Sequence, residues 1–162
     1  MKIRRAKIAD AKDIQKLVNT FAARGEMLPR SLSEIYENIR DYFVCENEDG
    51  EVVGVAALHV MWEDLAEIRS LAVAESAAGS GVGTRLARAC LREARGLGVK
   101  MVFALTYRVG FFLKLGFEEV DKATLPQKIW TDCLKCSKFP DCDESAVVYR
   151  LENRKKGEKV DS

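Results

Sequence analysis

Ser70-Leu71-Ala72-Val73, followed five residues later by Gly79-Ser80-Gly81-Val82-Gly83-Thr84-Arg85-Leu86, is the stretch on which the fold turns. Leu65 to Val73 reads as a strand, and Leu86, Cys90, Ala94 and Leu97 recur at the spacing of one helix face. Three glycines at i, i+2 and i+4 therefore carry a strand into a helix. Backbone N–H groups at the start of that helix are free, and the positive end of its dipole adds to them. The arrangement is a phosphate cradle or, with no ligand, a tight strand-to-helix turn. Two nucleotide motifs are excluded by context. A P-loop ends in Gly-Lys-Ser/Thr, whereas this one ends in Gly83-Thr84-Arg85, and a dinucleotide fingerprint follows the first strand, whereas this loop follows the fourth.

Working outward, Lys2 to Ala6 reads as a first strand. Asp10 is placed to cap a helix with Ile14, Leu17, Val18 and Phe21 on its apolar face, ended by Gly25. Ser31 and Glu34 form a capping-box pattern ahead of Leu32, Ile35, Tyr36 and Ile39. Tyr42 to Glu46 is β-rich, Asn47-Glu48-Asp49-Gly50 is a turn, and Val52 to Met61 is apolar on both faces, as a central strand should be. Trp62-Glu63-Asp64 reverses the chain into Leu65 to Val73. After the glycine loop and its helix come a strand at Met101 to Leu105, a short helix at Phe111 to Leu115, and a strand opened by Gly116-Phe117. Leu125 to Lys138 is read as loop and short helix, and Ala146 to Leu151 as a closing strand. The order β-α-α-β-β-β-α-β-α-β-β predicts one α/β layered domain over residues 1–151, with a solvated tail over 152–162.

The 162 residues carry a net charge of +1, which argues against a protein built to grip nucleic acid or an anionic membrane. The basic start Met1-Lys2-Ile3-Arg4-Arg5 is not followed by an apolar stretch of secretory type, and the longest apolar run, Val52 to Trp62, is short of the roughly 20 residues a membrane helix needs. The expectation is a cytoplasmic protein. The five cysteines are Cys45, Cys90, Cys133, Cys136 and Cys142, an odd count that does not suggest a disulfide framework. Cys133-x-x-Cys136-x₅-Cys142 looks like half of a zinc site. A second Cys-x-x-Cys pair is absent, so no metal is expected, with a redox pair or loosely packed thiols as the other readings.

The order of elements and three groups of residues together resemble the GNAT superfamily of acyl-CoA-dependent N-acyltransferases. These are Ser70-Leu71-Ala72-Val73, Gly79-x-Gly81-x-Gly83, and Phe111-Phe112-x-x-Leu115-Gly116-Phe117. Within it, Met27-Leu28-Pro29-Arg30-Ser31, Ala66-Glu67-Ile68-Arg69 and Leu105-Thr106 resemble the short bacterial N-acetylglutamate synthases. The resemblance implies a mixed central sheet with helices on both faces and acetyl-CoA as the acetyl donor. It implies L-glutamate as the acceptor, in the first step of arginine biosynthesis. It implies that the pyrophosphate sits on the backbone of Gly79, Ser80, Gly81, Val82, Gly83 and Thr84. The pantetheine arm would run along Leu71, Ala72 and Val73, with an N–H of Leu71 or Ala72 polarising the thioester carbonyl. There are two departures. Ala78 stands where the family's loop carries Arg or Gln, with Arg85 or Arg88 a candidate to compensate against a solvated surface role, and Phe112 stands where the family often has a tyrosine acid.

Attack by an amine requires that its ammonium first lose a proton to a positioned base. With the turn at Trp62-Glu63-Asp64, His59 falls opposite Glu67 on one sheet face, and Arg69 shares that face. Glu67 and His59 are therefore the catalytic candidates, against strand-surface and hydrogen-bonded core roles. The family often has a catalytic glutamate at the position of Glu67. For a dicarboxylate acceptor, guanidinium forks are the matching chemistry. Arg69, a charge inside an otherwise apolar strand, is one candidate, and the resemblance adds Arg30, Ser70, Lys135 and Ser137. No Cys or Ser stands in a nucleophile–base pattern, so transfer is expected to be direct, in a ternary complex. The partners expected are these two small molecules, with a homodimer left open. Two further readings are an acetyltransferase for another small amine or amino acid, and a non-catalytic sensor of acyl-CoA or an amino acid. Ala78 and Phe112 favour the sensor, and Glu67, Arg69 and Arg30 speak against it.

Overall fold

A computed structural model describes residues 1–125 and 144–151. Strands β1 (Lys2–Arg5), β2 (Tyr42–Glu46), β3 (Val52–Trp62), β4 (Leu65–Val73), β5 (Met101–Thr106), β6 (Glu118–Val120) and β7 (Ser145–Arg150) form one sheet in the order β1-β2-β3-β4-β5-β7-β6. Every neighbouring pair is antiparallel except β4 and β5. Helices α1 (Ala11–Ala22) and α2 (Leu32–Glu37) cover one face, and α3 (Val82–Leu97) covers the other. The short α4 (Val109–Lys114) follows β5. The predicted order of strands and helices is the observed one, and the class is α/β with a mixed open sheet.

The two faces follow from the alternation of side chains along the strands. Val44, Val55, Ala57 and Ala72 meet Ile14, Val18 and Ile35 on the α1/α2 side. Cys45, Ala56, Leu58, Ala66 and Ile68 meet Val82, Leu86 and Cys90 on the α3 side. Fully burying a side chain such as Leu86 stabilises the fold by about 1.5–3 kcal/mol. Gly54 lets α3 approach this closely. A Cβ there would stand 2.7 Å from Val82 Cγ1 and 2.9 Å from Leu86 Cδ1. Leu97, expected on the apolar stripe, is exposed, because the buried stripe drifts to Ala87, Leu91 and Ala94 over four turns.

Two local expectations resolve differently. Ser31 and Glu34 do form the capping box: Ser31 Oγ accepts from the Glu34 N–H at 3.1 Å and Glu34 Oε1 accepts from the Ser31 N–H at 3.5 Å. Asp10 does not cap α1 with its side chain. Its carboxylate accepts two bonds from Arg4, at 2.8 and 3.0 Å, and one from the Lys7 N–H at 2.7 Å. Arg4 also reaches Glu46 at 3.2 Å, so this cluster pins the edge strand β1 to its neighbour and to α1. The stretch 126–143 and the tail 152–162 lie outside the described residues, and with them Lys135, Ser137, Cys133, Cys136 and Cys142.

Candidate active site

The cleft originates in the strand register. β4 and β5 pair over only three positions, Leu65↔Met101, Ala66↔Val102 and Glu67↔Phe103, and then separate. On the other side of β4 the ladder with β3 runs regularly from Ala66 to Arg69. It then resumes with Ala72 opposite Val55, leaving two residues of β4 against one of β3. This is a β-bulge at Ser70-Leu71. Ser70 is the one described non-glycine residue with positive φ, at 58°. A bulged strand bends, and here the bend turns β4 away from β5. Neither Ser70 nor Leu71 has an opposite residue in the register of either neighbouring strand. A cavity of about 640 Å³ fills the gap, floored by Ile68 to Val73 and walled by Ala104 to Arg108.

One end of the cavity is the glycine loop. Gly79 and Gly81 hold φ of 78° and 83°, the left-handed conformation that admits glycine freely, and Gly81 caps the N-terminus of α3. The Arg85 N–H donates to the Gly81 carbonyl at 3.1 Å, the first bond of the helix, so the N–H groups before it lack intrahelical partners. Gly83 serves space rather than conformation: a Cβ there would stand 3.3 Å from the Phe111 ring. Gly79, Gly81, Val82, Gly83 and Thr84 line the cavity. Two residues grouped with them in sequence do not. The Ser80 hydroxyl turns back to donate to the Ala77 carbonyl. Arg85 sits on the far side of α3, where its guanidinium donates to the Met1 carbonyl at 3.1 Å. Arg85 therefore does not fill the gap left at Ala78.

The other end is built from side chains. Glu67 and Arg69 line the cavity in a loose pair at 3.8 Å, both largely buried. Tyr42, Ala57 and Arg69 form one row across three strands, and the small Ala57 leaves room for its long neighbours to meet above it. Burial pushes the Tyr42 phenol up, while the Arg30 and Arg69 cations and a hydrogen bond with Ser70 act to hold it down. Arg30 is 10% exposed and approaches Glu34 Oε2 at 3.4 Å. Its main chain is anchored to α1: the Arg30 N–H donates to Asn19 Oδ1 at 3.1 Å, and its carbonyl accepts from Gln15 and Asn19 at 3.3 and 3.4 Å. Arg30, Arg69, Ser70 and Glu67 are thus brought to one end of one cavity.

His59 is opposite Glu67 in the register, but it does not line the cavity. Its Nδ1 lies 2.7 Å from Asp41 Oδ2 on the β3 side of the sheet. Phe112 is buried among Phe111 and Phe117, with ring centroids 5.1 and 5.0 Å away, so this position belongs to an aromatic core. Sequence reasoning did not find Tyr42, whose place depends on the β2–β3 register, or Asn19, which gives no signal beyond an amide four residues after Gln15. Tyr107, just after β5, also lines the cavity. Two ion pairs cross the rim, Arg24 with Glu75 at 2.9 Å and Arg108 with Glu26 at 3.6 Å. Among the described residues no group of three His, Cys, Asp or Glu side chains is placed to hold a metal. Nor is any helix long and apolar enough to cross a membrane. Burial pushes the Cys90 thiol up to about 12 and raises that of Cys45, so neither supplies a nucleophilic thiolate.

An N-terminal amide cradle, a bulged strand beside it and a carboxylate at the far end form the frame of an acyl-CoA site, and the comparisons agree. Residues 12–117 match the acetyltransferase (GNAT) family. The chain is 44% identical over 152 residues to an uncharacterized N-acetyltransferase of Chlorobaculum tepidum, covering 92% of this chain and 96% of the other. It is 36% identical over 132 residues to an amino-acid acetyltransferase of Mycobacterium tuberculosis, covering 80% and 75%. Its fold is similar to that of a Neisseria gonorrhoeae N-acetylglutamate synthase complexed with coenzyme A and N-acetyl-glutamate. The TM-score is 0.83 at 29% identity, over 93% of this chain and 35% of that one, so it spans about a third of that protein. A Mycobacterium tuberculosis protein solved in complex with CoA superposes with a TM-score of 0.80 at 32% identity, over 93% and 99% of the two chains. The chain belongs to the acetyltransferase (GNAT) family.

Proposed function

We propose that this acetyltransferase moves the acetyl group of acetyl-CoA to the α-amine of L-glutamate, releasing N-acetylglutamate and CoA. The observation that carries the acceptor is the convergence of Arg30 and Arg69 on Tyr42 and Ser70, beside Glu67, at the end of the cavity opposite the glycine loop. Two guanidinium groups in a largely buried site match two carboxylates. The similarity to an N-acetylglutamate synthase supports the same acceptor. Such a reaction stands at the entry to arginine biosynthesis.

In this reading the free N–H groups of Gly81 to Thr84 receive the pyrophosphate, and the pantetheine arm lies along Leu71, Ala72 and Val73. Glu67 takes a proton from the acceptor ammonium, and the amine nitrogen then attacks the thioester carbonyl carbon. The backbone freed by the bulge donates to the oxygen on which negative charge builds, as a fixed dipole that needs no reorganisation. The C–S bond breaks, and the nitrogen passes its second proton to the departing thiolate, of ordinary pKa about 8.5, so no dedicated acid is needed. Lys135 and Ser137, outside the described residues, belong to the acceptor site on the resemblance alone. The test is CoA release, followed with a thiol reagent across the amino acids at fixed acetyl-CoA. Release with glutamate well above all others is expected, and release with a different amine but not with glutamate refutes the acceptor.

A further inference from the structure

The overall reaction converts an ammonium and a thioester into an amide, a thiol and one free proton. Each turnover therefore leaves a proton on the base, and that base must be cleared before the next. On the reading above the base is Glu67, whose side chain is 13% exposed and faces the cavity on the β5 side of β4. While substrates fill the cavity, that side is closed to the proton's departure. On the β3 side the directly opposite residue is His59. Such cross-strand partners hold their Cβ atoms about 4.5–5.5 Å apart, which leaves the carboxyl and the imidazole within reach of one bridging water. His59 is more exposed than Glu67, at 29%, and so borders both the base and solvent.

The second partner of the imidazole fixes its chemistry. His59 Nδ1 lies 2.7 Å from Asp41 Oδ2, and a carboxylate only accepts, so the shared proton belongs to Nδ1. Nε2 is then the lone-pair nitrogen, open to accept a proton while Nδ1–H stays on Asp41. On this face of the sheet the ionisable neighbours are Glu67 and Arg69 from β4, Tyr42 from β2 and Asp41 from the turn before β2. We propose that His59, oriented by Asp41, is a proton relay that clears Glu67. The proton taken from the acceptor amine passes from the Glu67 carboxyl to His59 Nε2 and then to solvent, while the Nδ1 proton stays on the bond to Asp41. Glu67 returns to carboxylate and His59 to neutral imidazole, so the cycle closes with one proton released. The role is that of a positioned relay, since His59 touches neither substrate. It rests on Glu67 being the base.

The test compares kcat in His59→Ala and His59→Gln with wild type, at saturating substrates and rising imidazole concentration. About a tenfold loss of kcat is expected in both variants, with KM for both substrates within about twofold. Free imidazole should restore most of the loss in His59→Ala, where it has room, and leave wild type unchanged. Asp41→Asn should lose a smaller factor. Melting temperatures separate relay from folding, and His59→Gln keeps a donor for Asp41 and so the local packing. Wild-type kcat in a folded His59→Gln, or a loss in folded His59→Ala that imidazole does not relieve, overturns the relay. Glu67→Gln, assayed in parallel, separates the two readings. Full activity there removes the base and the relay together, whereas a loss there beside a neutral His59 removes the relay alone.

Discussion

At the glycine-loop end of the cavity the binding groups are backbone amides, whereas at the Glu67 end they are side chains held by residues far apart in sequence. The first end is made by conformation: the φ of Gly79 and Gly81, the bulge at Ser70-Leu71 and the start of α3. The second is made by register and packing, which bring Arg30 from the α1–α2 loop over Tyr42 of β2 and Arg69 of β4. On the proposed reading, the difference explains how Ala78 is compatible with phosphate binding. An end built from N–H groups and a helix dipole retains most of its anion affinity when one side chain is missing. The acceptor end has no such reserve, and single substitutions there should redirect or abolish chemistry.

The contrast is most exposed to test at Glu67. Glu67→Gln keeps the shape and removes the base, and kcat should fall by about 10²- to 10³-fold with KM for acetyl-CoA unchanged within about twofold. A matching rise in the donor KM would mean that the two ends are not separable. Next in size, Arg30→Ala should raise KM for glutamate by about 10- to 100-fold, the loss of a charge-assisted bond of about 1.5–3 kcal/mol. KM for acetyl-CoA should hardly move, and equal losses in both would take Arg30 out of the acceptor end. Gly81→Ala is the converse experiment. Forcing a Cβ into the left-handed conformation costs about 1–2 kcal/mol and should raise KM for acetyl-CoA by up to about tenfold, sparing the glutamate KM.

The smallest effect on activity is expected outside both ends, at Asp10. The Arg4 bonds, against the desolvation that opposes them, hold its carboxyl below the ordinary value. A depressed carboxyl stabilises the fold above its unfolded pKa of about 3.9, and that stabilisation is lost as pH falls through the lower folded value. Asp10→Asn should therefore lower the melting temperature at neutral pH, by the equivalent of about 1–3 kcal/mol. The gap to wild type should close as the pH is taken well below 4, and activity per folded molecule should be unchanged.

The legible parts of the sequence were those carried by local pattern. Strand and helix order, the loop at Gly79–Thr84 and the pairing of His59 with Glu67 all followed from periodicity and one short turn. Glu67 and Arg69 stand out because charge interrupts an apolar strand, whereas the part of Arg30, and the catalytic part of Glu67, came from the resemblance. Tyr42 was not, because a tyrosine in a β-rich stretch looks like ordinary core, and its site role depends on Ala57 being small across the ladder. Arg85 was misplaced because sequence proximity to the loop does not reveal which side of a helix a residue occupies. Asp10 looked like a cap and is instead a tertiary partner of Arg4. Nothing in the alternation of Leu65 to Val73 announced the bulge, since Ser70 and Leu71 fit a strand by composition.

The bulge also bears on how relatives of this chain are read. Because the ladder resumes beyond it with faces unchanged, removing one residue at 70–71 would leave Arg69 opposite Ala57 and Ala72 opposite Val55, now with an unbroken strand between them. The shortened chain would be relieved of a positive φ at a non-glycine residue and should fold at least as well, while its thioester-facing amides return to the ladder. On the proposed reading, a one-residue gap at this point in an aligned homologue would mark a protein that has kept the architecture and given up the reaction.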